Sequence, residues 1–464
     1  LPHYMKDLDF SFEESDGQMA LKVTDEGAPV LNLTVSKHSF ENVVNPYKGL
    51  RAYQESDAED FRGRDRLVDR LVHQVAESHL VGVVGPSGSG KSSLVRAGLL
   101  PKVRDGAIDG SESWFVTTMT PGAHPFEELE AALHRLAVSP TAGLVEMMRR
   151  DRRGIGRATR VVLPEETAEV LVVVDQFEEL FTLVSDEAER TAFIQGLESA
   201  ATDPMSHLRV VLTIRADHWH RPLQYPELAR ILELSNLTVT PMSGDELERA
   251  IVDPARRMGV TFQPGLAAEI GAEVHGQPGA LPLMQYVLTE LFDERQSGVM
   301  ESDTYHRLGG VTGSLTRRAD QLFLDSDAEE QGATRRLFSR LVTPGEGVPD
   351  TRRRVRLSEL ASVPSGVVER FGAAGMLSFD HDPITRQPTV EVAHEALIRE
   401  WPRLRGWVDN DRDGLRIHRR LGVDAAEWVG NGCPDADLYR GGRLETVEAW
   451  AGDHISELNE VESR

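Results

Sequence analysis

The sequence is poor in the residues that several classes of protein require. It has one cysteine, Cys433, which excludes an internal disulfide framework and favours a reducing compartment, the cytoplasm. Aromatic residues make up only 6% of the chain, which argues against a stacking surface for single-stranded nucleic acid. No run approaches the roughly 18 apolar residues that a membrane-spanning helix needs. We therefore expect a globular protein without a membrane partner.

Positive charge is also scarce. Lys and Arg number 51 against 75 Asp and Glu, which gives a formal charge of −24. A general binder of nucleic-acid backbones needs clustered Lys and Arg, so we do not expect nucleic acid as a partner. Hydrophobic residues fill 40% of the 464 positions, enough for packed cores in roughly three domains. Because the chain begins at Leu1 without a basic segment and an apolar core, we expect no secretory signal and a piece of a longer polypeptide.

The first 242 residues contain two kinds of pattern. Residues 1–44 have strand-like runs at 19–23 and 30–35 with a turn at 25–27, which predicts a β-rich segment or connector without chemistry. Residues 45–242 alternate continuous apolar runs with helical periodicity. That alternation predicts an α/β fold in which helices cover a parallel sheet.

The second half of the chain has three further segments. Residues 243–312 are expected to be helical through about residue 293, and they begin with a capping box formed by Ser243 and Glu246. Residues 313–409 have the order helix, helix, helix, hairpin, which predicts a winged-helix domain. Residues 410–464 predict a polar helical connector.

Two features of the predicted winged helix bear on DNA binding. Its hairpin is expected to join strands at 376–379 and 389–393 through a polar turn that contains Pro383. Near the hairpin lies a group of arginines that could contact DNA, although such a run is more typical of a solvated strand face. These residues are Arg352, Arg353, Arg354 and Arg356.

The strongest motif is a glycine-rich loop that matches G-x-x-x-x-G-K-[ST]. It lies directly after the apolar run at 79–84 and directly before a helix, which is the context that a phosphate-binding P-loop requires. The glycines let successive backbone N–H groups point at phosphate oxygens, and the helix adds the partial positive charge of its N-terminus. Lys91 is placed to reach the β- and γ-phosphates, and the Ser92 hydroxyl to bind Mg²⁺. The motif comprises Gly85, Pro86, Ser87, Gly88, Ser89, Gly90, Lys91 and Ser92.

A second motif provides carboxylates at the same edge of the predicted sheet. The apolar run at 170–174 ends at Asp175, the expected partner of Mg²⁺. Glu178 is the first candidate for polarising the attacking water, and Glu179 is the alternative. The sequence therefore predicts an ATP/ADP site with Mg²⁺ that supports hydrolysis.

A third strand-like run, 208–214, ends at Arg215. At the predicted active edge this arginine could contact the γ-phosphate and report its presence. It could equally form an ion pair with a neighbouring acid such as Asp217.

The combined pattern resembles the novel STAND NTPase family one, bacterial signalling NTPases related to the NACHT and NB-ARC switches. The resemblance covers residues 45–464. It is carried by the strings NPYKGLRAY, FRGRD, GPSGSGKSSLVRAGLLP, VVVDQFEELF, TIRADHW, GALPL and VAHEALIREWPRLRGW.

The resemblance implies an architecture and further site residues. The architecture is a P-loop core over 45–242, a helical lid over 243–312, a winged-helix domain and a helical connector, with sensor and effector domains fused outside this chain. The phosphate loop would extend to Ser93, and Arg62 and Gly63 would lie near the adenine. Pro282 would contact the base from the lid, and His394 would touch the β-phosphate of ADP from the winged helix. Where many relatives have a second acid, this sequence has Gln176.

The function that follows is a switch that hydrolyses ATP slowly. ADP would hold a closed state, and exchange for ATP would open the chain and allow self-assembly. Two alternatives are a constitutive AAA+-like ATPase that performs mechanical work and a DNA-binding transcriptional regulator that uses the winged helix.

Overall fold

The structure is a computed structural model of the 464-residue chain. It describes residues 8–15, 18–25, 28–36, 44–137, 141–164, 168–184, 186–203, 206–277, 279–345, 349–381, 387–430, 432–454, 458–459 and 461–463.

The first described residues form an antiparallel sheet. Its strands, in the order β1-β2-β3, are β1 (Leu8–Ser15), β2 (Gln18–Asp25) and β3 (Ala28–Ser36). The predicted strands at 19–23 and 30–35 lie in β2 and β3. The sequence did not predict β1, and residues 26 and 27 of the predicted turn lie outside the described residues.

A parallel sheet lies at the centre of the next part of the chain, which confirms the predicted α/β fold. Its strands follow the order β5-β6-β7-β4-β8. They are β4 (Leu80–Gly85), β5 (Phe115–Met119), β6 (Val170–Val174), β7 (Leu208–Arg215) and β8 (Asn236–Thr238). Because the strands are parallel, their carboxyl ends share one edge. The end of β7 lies there between the loop that follows β4 and the acidic segment that follows β6.

Helices cover both faces of this sheet. On β6, Val170, Val172 and Val174 pack into one apolar cluster and Leu171 and Val173 into another, so the strand is buried on both faces. This double burial explains the continuous apolar run in the sequence. The helices are α1 (Asp65–Glu77), α2 (Lys91–Ser93), α3 (Leu100–Arg104), α4 (Pro125–His134), α5 (Leu144–Arg149), α6 (Gly154–Val162), α7 (Glu179–Thr182), α8 (Glu187–Thr202) and α9 (Pro226–Leu234), with a π-helical stretch, Leu94–Leu99, between α2 and α3.

Helices dominate the chain after β8. The helices are α10 (Gly244–Arg257), α11 (Leu266–Val274), α12 (Leu281–Asp293), α13 (Ser302–Leu308) and α14 (Gly310–Leu324). Ser243 and Glu246 form the predicted capping box at the start of α10. The prediction of helix throughout residues 243–293 was wrong at one place. Gly259 turns the chain at positive φ, and β9 (Thr261–Phe262) then pairs in parallel with β10 (Val299–Met300).

The following segment combines helices with short antiparallel strands. Its elements are α15 (Ala328–Arg340), β11 (Val342–Thr343), β12 (Thr351–Arg352), β13 (Val355–Arg356), α16 (Ser365–Ala373), β14 (Leu377–His381), β15 (Pro388–Val392), α17 (Glu395–Glu400) and α18 (Pro402–Asn410). Strands β13, β15 and β14 form one sheet in that order. The predicted hairpin corresponds to β14 and β15, and Pro383 of its turn lies outside the described residues. The chain continues with α19 (Arg412–Gly430) and α20 (Gly442–His454).

The arginines of this segment are not a uniformly solvated face, contrary to the sequence-based expectation. Arg352 lies 3.3 Å from Glu391, and Arg353 lies 3.1 Å from Glu359. Both arginines are half-buried, because they face acidic side chains of the same segment, whereas Arg354 is exposed.

Aromatic side chains fill the core of this segment. Phe338, Phe371 and Trp401 pack against one another with ring centroids 5.0 to 6.2 Å apart. The Trp401 indole N–H donates to the Asp320 carboxylate at 2.8 Å, so its polar edge is satisfied. The cluster joins helices α15, α16 and the start of α18, and so fixes where α17 lies.

Among the residues that the structure describes, no helix has both the length and the apolar composition of a membrane span.

Truncation of the aromatic core should destabilise the protein. Phe371 is 0% exposed and Phe379 is 50% exposed, so they form a matched pair. We expect Phe371→Ala to lower the free energy of unfolding by about 3–5 kcal/mol, because it leaves a cavity. Phe379→Ala should cost less than about 1 kcal/mol. Urea denaturation followed by tryptophan fluorescence measures both, and equal losses would contradict this account of the core.

Candidate functional site

The glycine-rich loop lies at the carboxyl edge of the parallel sheet, between β4 and α2. Gly88 and Gly90 have φ angles of 72° and 90°, which side chains with a Cβ rarely adopt. A Cβ at Gly88 would lie 3.0 Å from Gly279 Cα and 3.3 Å from Pro282. The loop therefore needs glycine both for its turn and for its close contact with the start of α12.

Lys91 begins the helix that follows the loop. Its Nζ donates to the carbonyl oxygens of Gly85 at 3.0 Å and Pro86 at 2.9 Å. Burial lowers the pKa of Lys91, while the charges of Glu178 and Asp175 act in the opposite direction. The structure thus buries a lysine whose donors can be transferred from carbonyl oxygens to an anion.

Asp175, at the end of β6, lies at the centre of a hydrogen-bond network. Its Oδ1 accepts from the hydroxyls of Ser92 at 2.9 Å and Thr213 at 2.5 Å, and its Oδ2 accepts from Arg96 at 2.9 Å. Burial opposes ionisation, but the charge of Arg96 and the two hydroxyl donors hold the pKa of Asp175 below its usual value. Asp175 is therefore an ionised carboxylate next to the hydroxyl of Ser92.

These residues fit a phosphate group and a hard cation. A buried hydroxyl, that of Ser89, has no hydrogen-bond partner among the described residues. A Cβ at Gly90 would meet no atom within 4 Å, so the loop opens there into free space. The oxygens of Ser92 and Asp175 are the kind of ligand that Mg²⁺ prefers, and Lys91 supplies positive charge beside them.

The two candidate water-polarising acids have different environments. Glu178 lines a cavity with the glycine-rich loop, and its carboxylate accepts the backbone N–H of Arg215 at 3.1 Å. Burial raises the pKa of Glu178 to about 7. Glu179 does not line this cavity. Burial raises its pKa to about 8, while the charges of Arg354 and Arg352 act in the opposite direction.

Arg215 connects the sheet edge to a distant part of the chain. It donates to the Asp217 carboxylate at 3.1 and 2.9 Å, the ion pair that the sequence offered as an alternative. It also donates to both oxygens of Glu395 at 2.8 and 2.7 Å. The Ser87 hydroxyl donates to Glu395 at 2.6 Å. One carboxylate thus joins the glycine-rich loop, β7 and α17.

Glu395 was not predicted from the sequence, although it directly follows His394, which was. The available signal was its position directly after His394 in the string that carries the family resemblance. Its contacts with Ser87 and Arg215 span 308 and 180 positions, so no local pattern predicts them.

His394 lines the same cavity from the N-cap of α17. Its Nδ1 accepts the backbone N–H of Ala396 at 3.0 Å, and burial lowers its pKa to about 4. The ring is therefore neutral near pH 7 and carries its proton on Nε2. A neutral N–H donor at this place suits a phosphate oxygen.

The predicted base-contacting residues separate into two groups. Pro282 and Arg62 line the cavity. Gly63 lies against α10, where a Cβ would come within 2.2 Å of the Glu246 carbonyl oxygen. Close packing therefore accounts for glycine at this position.

The structure also gives contacts for two residues to which the sequence assigned no role in the site, Tyr53 and Gln176. Tyr53 donates its backbone N–H to Ser93 Oγ at 3.1 Å and its phenol to Gln285 at 2.7 Å. Gln176 has a φ of 56°, uncommon for a residue with a side chain, and its amide oxygen accepts from Arg352 at 2.9 Å. The segment before α1 and strand β12 thus both reach the sheet edge.

The site defines a nucleotide-binding NTPase. Its three marks are the glycine-rich loop after a buried parallel strand, the lysine that follows this loop and the carboxylate at the end of β6. The family model of Novel STAND NTPase 1 matches residues 46–436, and the chain belongs to this family. The predicted resemblance is thereby confirmed.

No curated protein sequence matches the chain. Solved structures that align with it include the Aeropyrum pernix ORC2 protein in its ADPNP-ADP complexes, with 14% identity over 81% of this chain and 97% of that chain at a TM-score of 0.41. The Aeropyrum pernix ORC1 protein in complex with DNA aligns with 14% identity over 73% and 93% at 0.39. Cdc6p from Pyrobaculum aerophilum aligns with 11% identity over 81% and 98% at 0.36.

Proposed function

We propose that this chain is a bacterial, cytoplasmic signalling switch whose state depends on whether ADP or ATP is bound. The observation that carries the proposal is the Glu395 carboxylate, which links Arg215 and Ser87 across one cavity that His394 also lines. A ligand in that cavity would contact both the glycine-rich loop and the start of α17. Its identity could therefore determine whether these parts stay together.

The nucleotide would be held by residues already close together. Gly85 to Ser93 would bind the phosphates, and Arg62 and Pro282 would contact the base. Mg²⁺, when bound, would supply positive charge to phosphate oxygens, and Ser92 and Asp175 are the side chains that would hold it. Glu178 would accept a proton from the attacking water, since it lines the cavity whereas Glu179 does not.

Glu395 would stabilise the closed state by taking the place of an anion. Arg215 donates to both of its oxygens, as it would to a terminal phosphate. The γ-phosphate of ATP would compete with Glu395 for Arg215, whereas ADP has no such group. A near-complete change of state needs a difference in affinity of about 10⁴, or roughly 5.5 kcal/mol. Slow hydrolysis would then reset the switch.

The rest of the chain would act as a lid, a winged helix and a connector over residues 243–312, 313–409 and 410–464. The order of elements supports the winged-helix assignment: α15, β11, β12, β13, a 3-10 helix (Leu357–Leu360), α16, β14 and β15. Opening would expose surfaces for self-assembly, with sensor and effector domains attached outside this chain. A role in DNA binding is not favoured, because Arg352 and Arg353 face Glu391 and Glu359.

Lys91→Ala should abolish nucleotide binding, because it removes the cation that reaches the phosphates. Isothermal titration with ADP and ATP measures the effect. Lys102→Ala, an exposed lysine of the neighbouring helix, is the matched control and should bind as the wild type does. An unchanged affinity in Lys91→Ala would sink the phosphate-site assignment.

The rate of ATP hydrolysis should depend on the ionisation of Glu178. A carboxyl group accepts a proton only when ionised, and its pKa is about 7. We therefore expect the rate at saturating ATP and Mg²⁺ to rise between about pH 6 and pH 8 and then level off. Glu178→Gln should lower the rate by about 10²-fold or more and preserve ATP binding, while Glu179→Gln keeps most of it. The reverse pattern would assign the role to Glu179.

His394→Ala should weaken ADP binding more than ATP binding, because the closed state brings its N–H to the cavity. His124→Ala, an exposed histidine at the start of α4, serves as the control. Affinities for ADP and for a non-hydrolysable ATP analogue, compared within each variant, decide the matter. Equal weakening of both nucleotides would contradict the preference for ADP, and no weakening would remove His394 from the site. Steady turnover without a stimulus would instead favour a constitutive ATPase.

A further inference from the structure

Arg96 has a position that the mechanism described above does not use. Its Nη2 lies 2.9 Å from Asp175 Oδ2, while the other carboxylate oxygen accepts from Ser92 and Thr213. Asp175 is only 2% exposed, so the charge of Arg96 is screened little by water. The carboxylate that is expected to help hold Mg²⁺ is thus already paired with the positively charged guanidinium of Arg96.

The backbone places Arg96 there through an uncommon helical turn. Arg96 lies in the π-helical stretch Leu94–Leu99, and the N–H of Leu100 bonds to the carbonyl oxygen of Val95, five residues earlier. The next residue, Pro101, has no N–H to donate. Such π-helical turns are rare and occur often at functional sites. Arg96 therefore reaches Asp175 from within a π-helical turn.

A second contact holds the guanidinium from the other side. Arg96 Nη1 donates to Gln54 Oε1 at 3.3 Å. The Gln54 amide in turn donates to the Ala52 carbonyl oxygen at 2.9 Å, and its backbone N–H donates to Asp57 at 2.9 Å. Gln54 is thus fixed by its own neighbours, and Arg96 is held between it and Asp175.

An arginine in this place opposes a divalent cation at Asp175. Both would be attracted to one carboxylate, and two cations within a few ångströms of each other in a buried site repel strongly. Lys91, which lines the neighbouring cavity together with Ser92 and Thr213, adds a further positive charge. Either the cation stays out while Arg96 is bound to Asp175, or Arg96 leaves when the cation enters.

We propose that Arg96 is the resident counter-charge of Asp175 and makes binding of a nucleoside diphosphate independent of Mg²⁺. Mg²⁺ enters with the triphosphate, and its entry requires Arg96 to release Asp175. The metal dependence of the two nucleotides is then set by a residue of the protein. This inference rests on the proposed nucleotide site and on Asp175 and Ser92 as its metal-facing side chains.

The test is nucleotide affinity measured by isothermal titration in Mg²⁺ and in excess EDTA. For the wild type, we expect equal ADP affinity in the two buffers and weaker binding of a non-hydrolysable ATP analogue in EDTA. Arg96→Met keeps an unbranched apolar side chain like the aliphatic part of arginine and removes the guanidinium with its charge. Its ADP affinity should fall by about tenfold or more in EDTA and recover in Mg²⁺, because Asp175 then needs another cation.

Two further variants separate charge from structure. Arg104→Met, an exposed arginine of α3 that pairs with Glu55, should behave as the wild type. Arg96→Lys retains the charge and should preserve most of the metal independence, so it keeps the test valid if Arg96→Met does not fold. Electron paramagnetic resonance with Mn²⁺ and saturating ADP gives a readout apart from affinity. Wild type should leave Mn²⁺ free, and Arg96→Met should bind it.

The outcomes distinguish this inference from the function on which it rests. ADP binding by the wild type that needs Mg²⁺, or an equal EDTA effect in wild type and Arg96→Met, would overturn the role of Arg96 and leave the nucleotide site standing. If the wild type binds neither ADP nor the ATP analogue in either buffer, the proposed site itself is overturned.

Discussion

One carboxylate, that of Glu395, connects parts of the chain that are distant in sequence. It accepts from Arg215 at the end of β7 and from Ser87 in the glycine-rich loop, while α17 holds it in place. Burial opposes its ionisation, but the charge of Arg215 and the Ser87 hydroxyl hold its pKa below the usual value. Helix α17 is therefore held in two ways. It packs against α14 and α18 next to the Trp401 cluster, and its Glu395 forms an ion pair in the nucleotide cavity.

Positive charge in this acidic protein is concentrated where phosphates would lie. Lys91, Arg96 and Arg215 all lie at one sheet edge, although the chain as a whole has a formal charge of −24. Each already has oxygen partners, carbonyl groups for Lys91 and carboxylates for the arginines. A bound polyphosphate thus enters as a competitor for existing partners, so its charge and length can alter which protein contacts persist.

The parts of the site that follow from local sequence could be predicted, and the parts that follow from packing could not. Lys91 begins α2 after β4 and Asp175 directly follows β6, so in each case a motif of a few residues places the side chain. The partners Arg96 for Asp175 and Glu395 for Arg215 lie 79 and 180 positions away, and only the fold brings them together. Strand β5, with adjacent threonines, and the two-residue strand β9 were missed because neither has a continuous apolar run.

Tyr53 joins two helices beside the nucleotide cavity by hydrogen bonds. Its backbone N–H donates to Ser93 and its phenol to Gln285, so α2 and α12 are joined through one buried residue. The links from Glu395 are charged groups that water or a phosphate can replace. We therefore expect α17 to separate from the nucleotide cavity at a lower cost in free energy than α12 would. The bound nucleotide would then remain beside α12.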